Sequence, residues 1–264
     1  GFTQSAGPEH PPRRVADRFG EMLSVKDFGA VGDDETDNSA AFQAAIDTGR
    51  AIYVPNGTYR IVQGLKVRMD TQCVLIGEAG GLFGAGPLAV SRPKLRYDPA
   101  TPGTDEPLLT RERGWLKADQ MPSFDHTTGT SVAGGVSVIL KNLHFEARHG
   151  RGSSAVDLHL VNRGHFENCH FESHGRGFTL WEQTFDNVII NCVATSGGSV
   201  KNYNLDDPEE KKEYLDNCWG FSLGGHTMCY GLWVSGFGTS ITAAGKGTAI
   251  YGCRIEYGYN GIVL

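Results

Sequence analysis

No apolar run in the 264 residues approaches the ~20 that a membrane-spanning helix needs, so no membrane insertion is expected. The opening GFTQSAGPEHPPRR also lacks the apolar centre of an export signal. Lysine and arginine are nowhere gathered into a block and the net charge is −6, which argues against nucleic acid as a partner. The six cysteines are too sparse for a disulfide scaffold and include no C-x-x-C pair, so neither a zinc ribbon nor a dithiol redox motif is offered. Cys169, Cys192, Cys218 and Cys253 sit in or beside short apolar runs, where buried free thiols, formed in a reducing compartment, are expected. Histidines are frequent from His126 onward, but none has a partner at i+4 on a predicted helix. No metal and no cofactor are therefore expected.

Glycine is the residue in excess: 36 are present, against the roughly 7% of an average chain. They recur between short apolar runs from Gly29 to Gly261, which points to many tight turns between short strands.

Residues 1–14 are polar and proline-rich and read as a disordered lead or connector, and 15–23 as about two turns of helix. Val25 and Phe28 suggest a short strand, followed by turn residues GAVGDDETD with Thr36, Asp37 or Asn38 available as a helix cap. Ala41, Phe42, Ala45 and Ile46 then mark one face of an amphipathic helix ended by Gly49. Two β-rich runs, AIYV and TYRI, are joined by the turn Pro55-Asn56-Gly57.

The rest of the chain repeats. ILKNLHFEA (139–147), FENCHFES (166–173), IINCVATS (189–196) and IYGCRIEY (250–257) fit one template, with a weaker copy at 231–242. Aligned on Asn142, Asn168, Asn191, Gly231 and Gly252, the steps are 26, 23, 40 and 21 residues, the long one holding an insertion. A period in the low twenties made of short strands and glycine turns predicts an all-β fold, a right-handed single-stranded parallel β-helix with an N-terminal capping helix, its coils stacked ~4.8 Å apart. Leucine-rich repeats share the period, but their leucine pattern is missing.

VKDFGAVGDDETDNSAAFQAAIDTGRAIYVPNGTYRI resembles the opening signature of the pectate-lyase-like β-helix superfamily, and RVADRFGEMLSVKDFGAVGD resembles bacteriophage tailspike and tail-fibre proteins in particular. The resemblance is specific over 15–62 and architectural over 136–264. It implies a homotrimer on the virion tail, made in the host cytoplasm and acting outside it. Such a spike binds other tail or baseplate proteins through its N-terminal side, and binds and depolymerises a bacterial surface polysaccharide (capsule or lipopolysaccharide), by hydrolysis in preference to lyase chemistry. A non-catalytic receptor-binding or structural tail protein, and a bacterial pectate-lyase-like lyase or hydrolase, stay open beside it. The family's GDGxTD reads GDDETD here, a loss of glycine at Asp34 that is tolerable where no positive φ is needed. The expected organisation is a connector over 1–24, an entry cap with first coils and long loops over 25–135, and coils over 136–264 with an inserted helical loop at 200–225. Leu264 matches Leu180 in mid-coil, so further coils are expected after it.

The alignment places Glu146, Glu172 and Glu256 in one column. Carboxylates on neighbouring coils repel, which raises the pKa of one member, and a glycosidase needs such a pair. Glu146 and Glu172 are therefore the first candidates for acid and base; a solvated outer row with no catalytic duty is the alternative. In LWEQTFDN, Glu182 and Asp186 are four apart, on one side if the run is a strand, with Trp181 beside them as a platform for a sugar ring; a surface turn between coils is the alternative. Asp157 and His159 form a third pair, explained equally by a polar ladder. In the insertion, Asp207, Pro208 and Glu210 predict a capped helix PEEKKEYL. Tyr203, Tyr214 and Trp219 there, with His174 on the neighbouring coil, are candidate sugar contacts; a subunit contact or a plain surface helix is the alternative.

Overall fold

The computed structural model describes residues 23–68, 71–78, 92–101, 104–111, 137–181, 184, 186–243 and 247–264. They form three parallel sheets that the chain visits in turn. Sheet 1 runs from Leu23–Ser24 to Ala249–Tyr251, sheet 2 from Asp33–Asp37 to Arg254–Glu256, and sheet 3 from Leu65–Lys66 to Asn260–Val263. In each sheet the neighbour of a strand is its counterpart one coil away, which makes the stack a parallel β-helix.

The aligned Asn and Gly positions are the corner between sheets 1 and 2. Asn142, Asn168 and Asn191 have φ of 55°, 52° and 49°, and Gly231 and Gly252 have 65° and 61°. A left-handed turn tolerates few other residues, and this requirement is what the repeat records. Asn168 also donates from Nδ2 to Asn142 Oδ1 across 3.3 Å, tying one coil to the next. Inside, Phe145 stacks on Phe171 at 5.8 Å, and Phe178 packs against Phe166 and Phe171, both at 4.7 Å. Each ring removed from water contributes about 1.5–3 kcal/mol, available only when a neighbouring coil is present to cover it. The cysteines are free thiols, buried except for Cys253, which is half-buried.

The entry cap departs from expectation in three places. Val25–Phe28 is a 3₁₀ turn, not a strand, because Ser24 and Asp27 close a capping box around it. Leu23 opens the first strand instead of ending a helix; residues 15–22 lie outside the described residues. Asp33–Asp37 pairs irregularly as an edge strand of sheet 2, and Asp34 has φ 67°, so the position does use the left-handed region that glycine would serve. Aspartate is among the residues that tolerate it, and Arg96 Nε anchors its carboxylate at 2.8 Å.

The capping helix is Ser39–Asp47. Asp37 Oδ1 accepts from Ser39 N at 2.9 Å, while Asn38 staples the preceding loop through Val31 N and O at 2.7 and 3.0 Å. Its buried face is Ser39, Phe42, Ala45 and Ile46, with Ala41 at the margin, and Gly49 ends it at φ 66°. The inserted helix, Pro208–Asn217, stands between sheets 2 and 3. Asp207 Oδ1 caps it, accepting from Glu209 N at 2.8 Å and Glu210 N at 3.2 Å. Asp207-x-x-Glu210 has the spacing of a capping box, but Glu210 does not close one; its carboxylate turns to Asn204 N and Arg151, each at 2.8 Å. The insertion ends before Trp219–Leu223, which is an ordinary strand of sheet 3.

Candidate functional site

Two outer faces carry the candidate chemistry. On sheet 2 the register sets Glu146 beside Glu172, then Thr195, Ser235 and Glu256, the column read from the sequence. What shares the face was not legible. Lys94 Nζ and Arg148 reach Glu146 Oε2 at 2.8 and 3.1 Å, and Arg148 also meets Glu172 Oε1 at 3.4 Å. Glu172 Oε2 lies 3.1 Å from His144 Nε2, and His144 stacks on His170 at 4.2 Å. His170 Nε2 in turn meets Thr195 Oγ1 at 2.8 Å.

This pairing reverses the expected electrostatics. Burial would raise the pKa of both glutamates, but Lys94, Arg148 and His144 outweigh it at Glu146, and His144 and Arg148 do so at Glu172, so both are held below the usual range. Mutual repulsion does not leave either one protonated as an acid. Burial, with His144 beside it, lowers His170 to about 3, so its imidazole stays neutral.

The outer face of sheet 3 is different. Asp157 is 6% exposed, in register with Thr110 and Thr179 on the flanking coils. Trp181 Nε1 donates to Asp157 Oδ1, and the Trp181 ring stacks on His159 at 5.1 Å. His159 Nε2 and Arg176 Nη1 each stand 3.7 Å from the carboxylate. Burial dominates over Trp181 and Arg176 here, and the Asp157 carboxyl is raised above its ordinary value. One coil further, Trp219 Nε1 donates to Thr179 Oγ1 at 2.9 Å, and Arg176 lies over the Trp219 ring at 5.7 Å. The inserted segment that holds the helix Pro208–Asn217 also enters sheet 3, ahead of the strand Trp219–Leu223. A protonatable carboxyl among half-buried tryptophans can bind and protonate an oxygen of a polar, ring-shaped ligand.

The remaining candidates fall elsewhere. The strand ends at Leu180 and Asp186 has φ 55° in an exposed corner, while Glu182 lies outside the described residues. Tyr203 is buried with Tyr214 and Cys218 in a small second core under the inserted helix, which withdraws its ring from solvent. His174 sits at the corner from sheet 2 to sheet 3, its pKa lowered by burial and by Arg148. Lys94, Arg148 and Arg176 escaped the sequence reading because the repeat template records inward and corner positions, and the strand holding Lys94 lies outside every copy of it.

Comparison with known proteins places the architecture. The family described as rhamnogalacturonase A/epimerase, pectate lyase-like, matches residues 22–204. The chain is similar to the preneck appendage protein of Bacillus phage PZA, 45% identical over 264 aligned residues that take in 89% of this chain and 29% of that protein. A shorter stretch of 68 residues is 50% identical to mannuronan C5-epimerase AlgE5 of Azotobacter vinelandii, covering 24% of this chain and 7% of the epimerase. The solved structure of ORF18 from Geobacillus virus E2 superposes with a TM-score of 0.59 at 17% identity over 90% of this chain and 43% of that one, which shows a shared fold. The chain thus spans less than a third of the PZA relative's length.

Proposed function

The chain belongs to the rhamnogalacturonase A/epimerase family of pectate-lyase-like proteins, and from that premise we infer that it is part of a phage tail appendage that binds a bacterial surface polysaccharide and cleaves it by hydrolysis. The similarity to a phage preneck appendage protein supports the virion setting. The observation that carries the reading is the buried, raised carboxyl of Asp157 among Trp181, Trp219 and Arg176. Tryptophan faces hold the apolar C–H side of a sugar, and a carboxyl held above its ordinary pKa is the kind that protonates a leaving glycosidic oxygen. Hydrolysis needs a second carboxyl. Glu182, next in sequence to Trp181, is the one to substitute with it.

The test is incubation with a panel of purified capsular polysaccharides and lipopolysaccharides, reading released reducing ends and, separately, unsaturated products. Reducing ends without unsaturation, lost by about 10²-fold or more in Asp157→Asn and retained in Glu146→Gln and Glu172→Gln, is the expected result. Unsaturated products would replace hydrolysis with elimination. Binding without any product would favour a receptor-binding appendage, a reading supported by the ion-paired state of Glu146 and Glu172.

A further inference from the structure

The outer face of sheet 2 carries a second constellation that polysaccharide cleavage does not use. His144, His170 and Glu172 each offer one ligand atom, and the three atoms lie within 4.8 Å of one another. We propose that these residues form a binding site for a divalent transition metal ion of the zinc, nickel or copper class.

The donor set comes from coil stacking. His144 and His170 are register partners on adjacent coils, and Glu172 follows His170 by two residues, so its side chain shares the same face. A spacing of one coil replaces the i, i+4 spacing of a helical site, which is why the sequence reading expected no metal. Two imidazoles and one carboxylate suit a borderline ion and leave coordination positions open for water or a ligand. Calcium and magnesium prefer six or more oxygens, which this trio does not offer.

The geometry is close to what an ion requires. Donors on a tetrahedral ion with bonds of ~2.0–2.1 Å stand ~3.3 Å apart, and His144 Nε2 is already 3.1 Å from Glu172 Oε2. The ion takes the place of the hydrogen that now joins them. Because imidazole lone pairs lie in the ring plane and the His144 and His170 rings stack at 4.2 Å and 13° from parallel, the ion also requires the His170 ring to turn out of that stack and away from Thr195, 2.8 Å off, toward Glu172. The surroundings hold the carboxylate in place: Arg148 anchors Glu172 through its other oxygen, Oε1, the outer contact that fixes a metal ligand's orientation. Glu146 and Glu172 together offset the two positive charges of Lys94 and Arg148, so an incoming cation meets a face of balanced charge.

The experiment is titration of the protein with zinc chloride and with nickel chloride, with calcium chloride as control, followed by calorimetry and by the shift in thermal midpoint. One zinc or nickel ion per chain and a metal-dependent rise in the midpoint are expected. Both should weaken at least tenfold in His144→Gln and in His170→Gln, and calcium should have no effect. The metal-free midpoints of the two variants establish that they fold, and histidine ring NMR signals of the wild-type protein, shifting at two residues on zinc addition, report the ligands without any substitution. Absence of saturable binding, or binding equal in wild type and both variants, overturns the site.

Discussion

The two outer faces titrate in opposite senses, and single residues show it. The Asp157 carboxyl is raised above its ordinary 3.8 mainly by burial, so its neutral form is the one the fold favours. Its contribution is complete below that value and is lost as pH rises through the folded pKa. Glu172, lowered from 4.5 against its own burial by His144 and Arg148, contributes above that value and loses its contribution as pH falls through the folded pKa. The midpoint of Asp157→Asn relative to wild type should therefore rise as pH increases from about 4 to 7, while that of Glu172→Gln should fall as pH increases from about 3 to 5, where its carboxylate ionises. A pKa unit is about 1.4 kcal/mol, or about 2–4 °C in a chain of this size, which differential scanning fluorimetry resolves. Parallel pH profiles for the two variants would contradict the assignment. The Glu146–Glu172 column itself was legible, since side chains in the template recur one coil apart. The cations that neutralise it were not, because Lys94 and Arg148 come from positions where the template demands nothing.

At the scale of elements, a residue was legible where backbone geometry restricts the choice. The corner after sheet 1 needs a left-handed residue, so Asn142, Asn168, Asn191, Gly231 and Gly252 were visible as a period. The inserted helix was visible through Asp207 and Pro208, but the fate of its aromatics was not: an aromatic on a short helix reads alike whether it meets sugar or core. Tyr214 settles inward, donating to Gly236 O at 2.7 Å and packing on Tyr203 at 5.1 Å. The insertion is thus clamped to the coil by its own small core. Asp207→Ala should destabilise the helix by about 1 kcal/mol. Hydrogen exchange should then quicken across 208–217 while the coil strands at 219–223 keep their protection. Equal loss of protection in both segments would mean that helix and coil unfold as one unit.

At the scale of the molecule, the three outer faces divide the work. Sheet 2 is ion-paired and sheet 3 carries the carboxyl and the tryptophans, whereas sheet 1 turns apolar along its length. Its outer columns pass from the Lys141–Glu167 ion pair to Ile190, Tyr230 and Tyr251 on one side, and from His165 to Val188, Met228 and Ala249 on the other. Met228, Tyr230 and Tyr251 are 52%, 41% and 56% exposed, and Tyr230 and Tyr251 stack at 5.2 Å. Because these side chains point away from the stack, a further coil would not cover them; a neighbouring β-helix would. A homotrimer of the kind the tailspike resemblance implies would supply one, and we propose sheet 1 as the face it would use. The template fixes residue type at the inward and corner positions of sheet 1 and leaves its outward positions as any residue, so this face was not legible in the sequence. Light scattering of the wild-type protein should give three times the chain mass, and the double substitution Met228→Glu with Tyr251→Glu should give the single chain mass with unchanged far-ultraviolet circular dichroism. Like charges brought onto an apolar contact are costly enough to separate the subunits. A wild-type monomer, or a variant that stays trimeric, would remove sheet 1 as the contact.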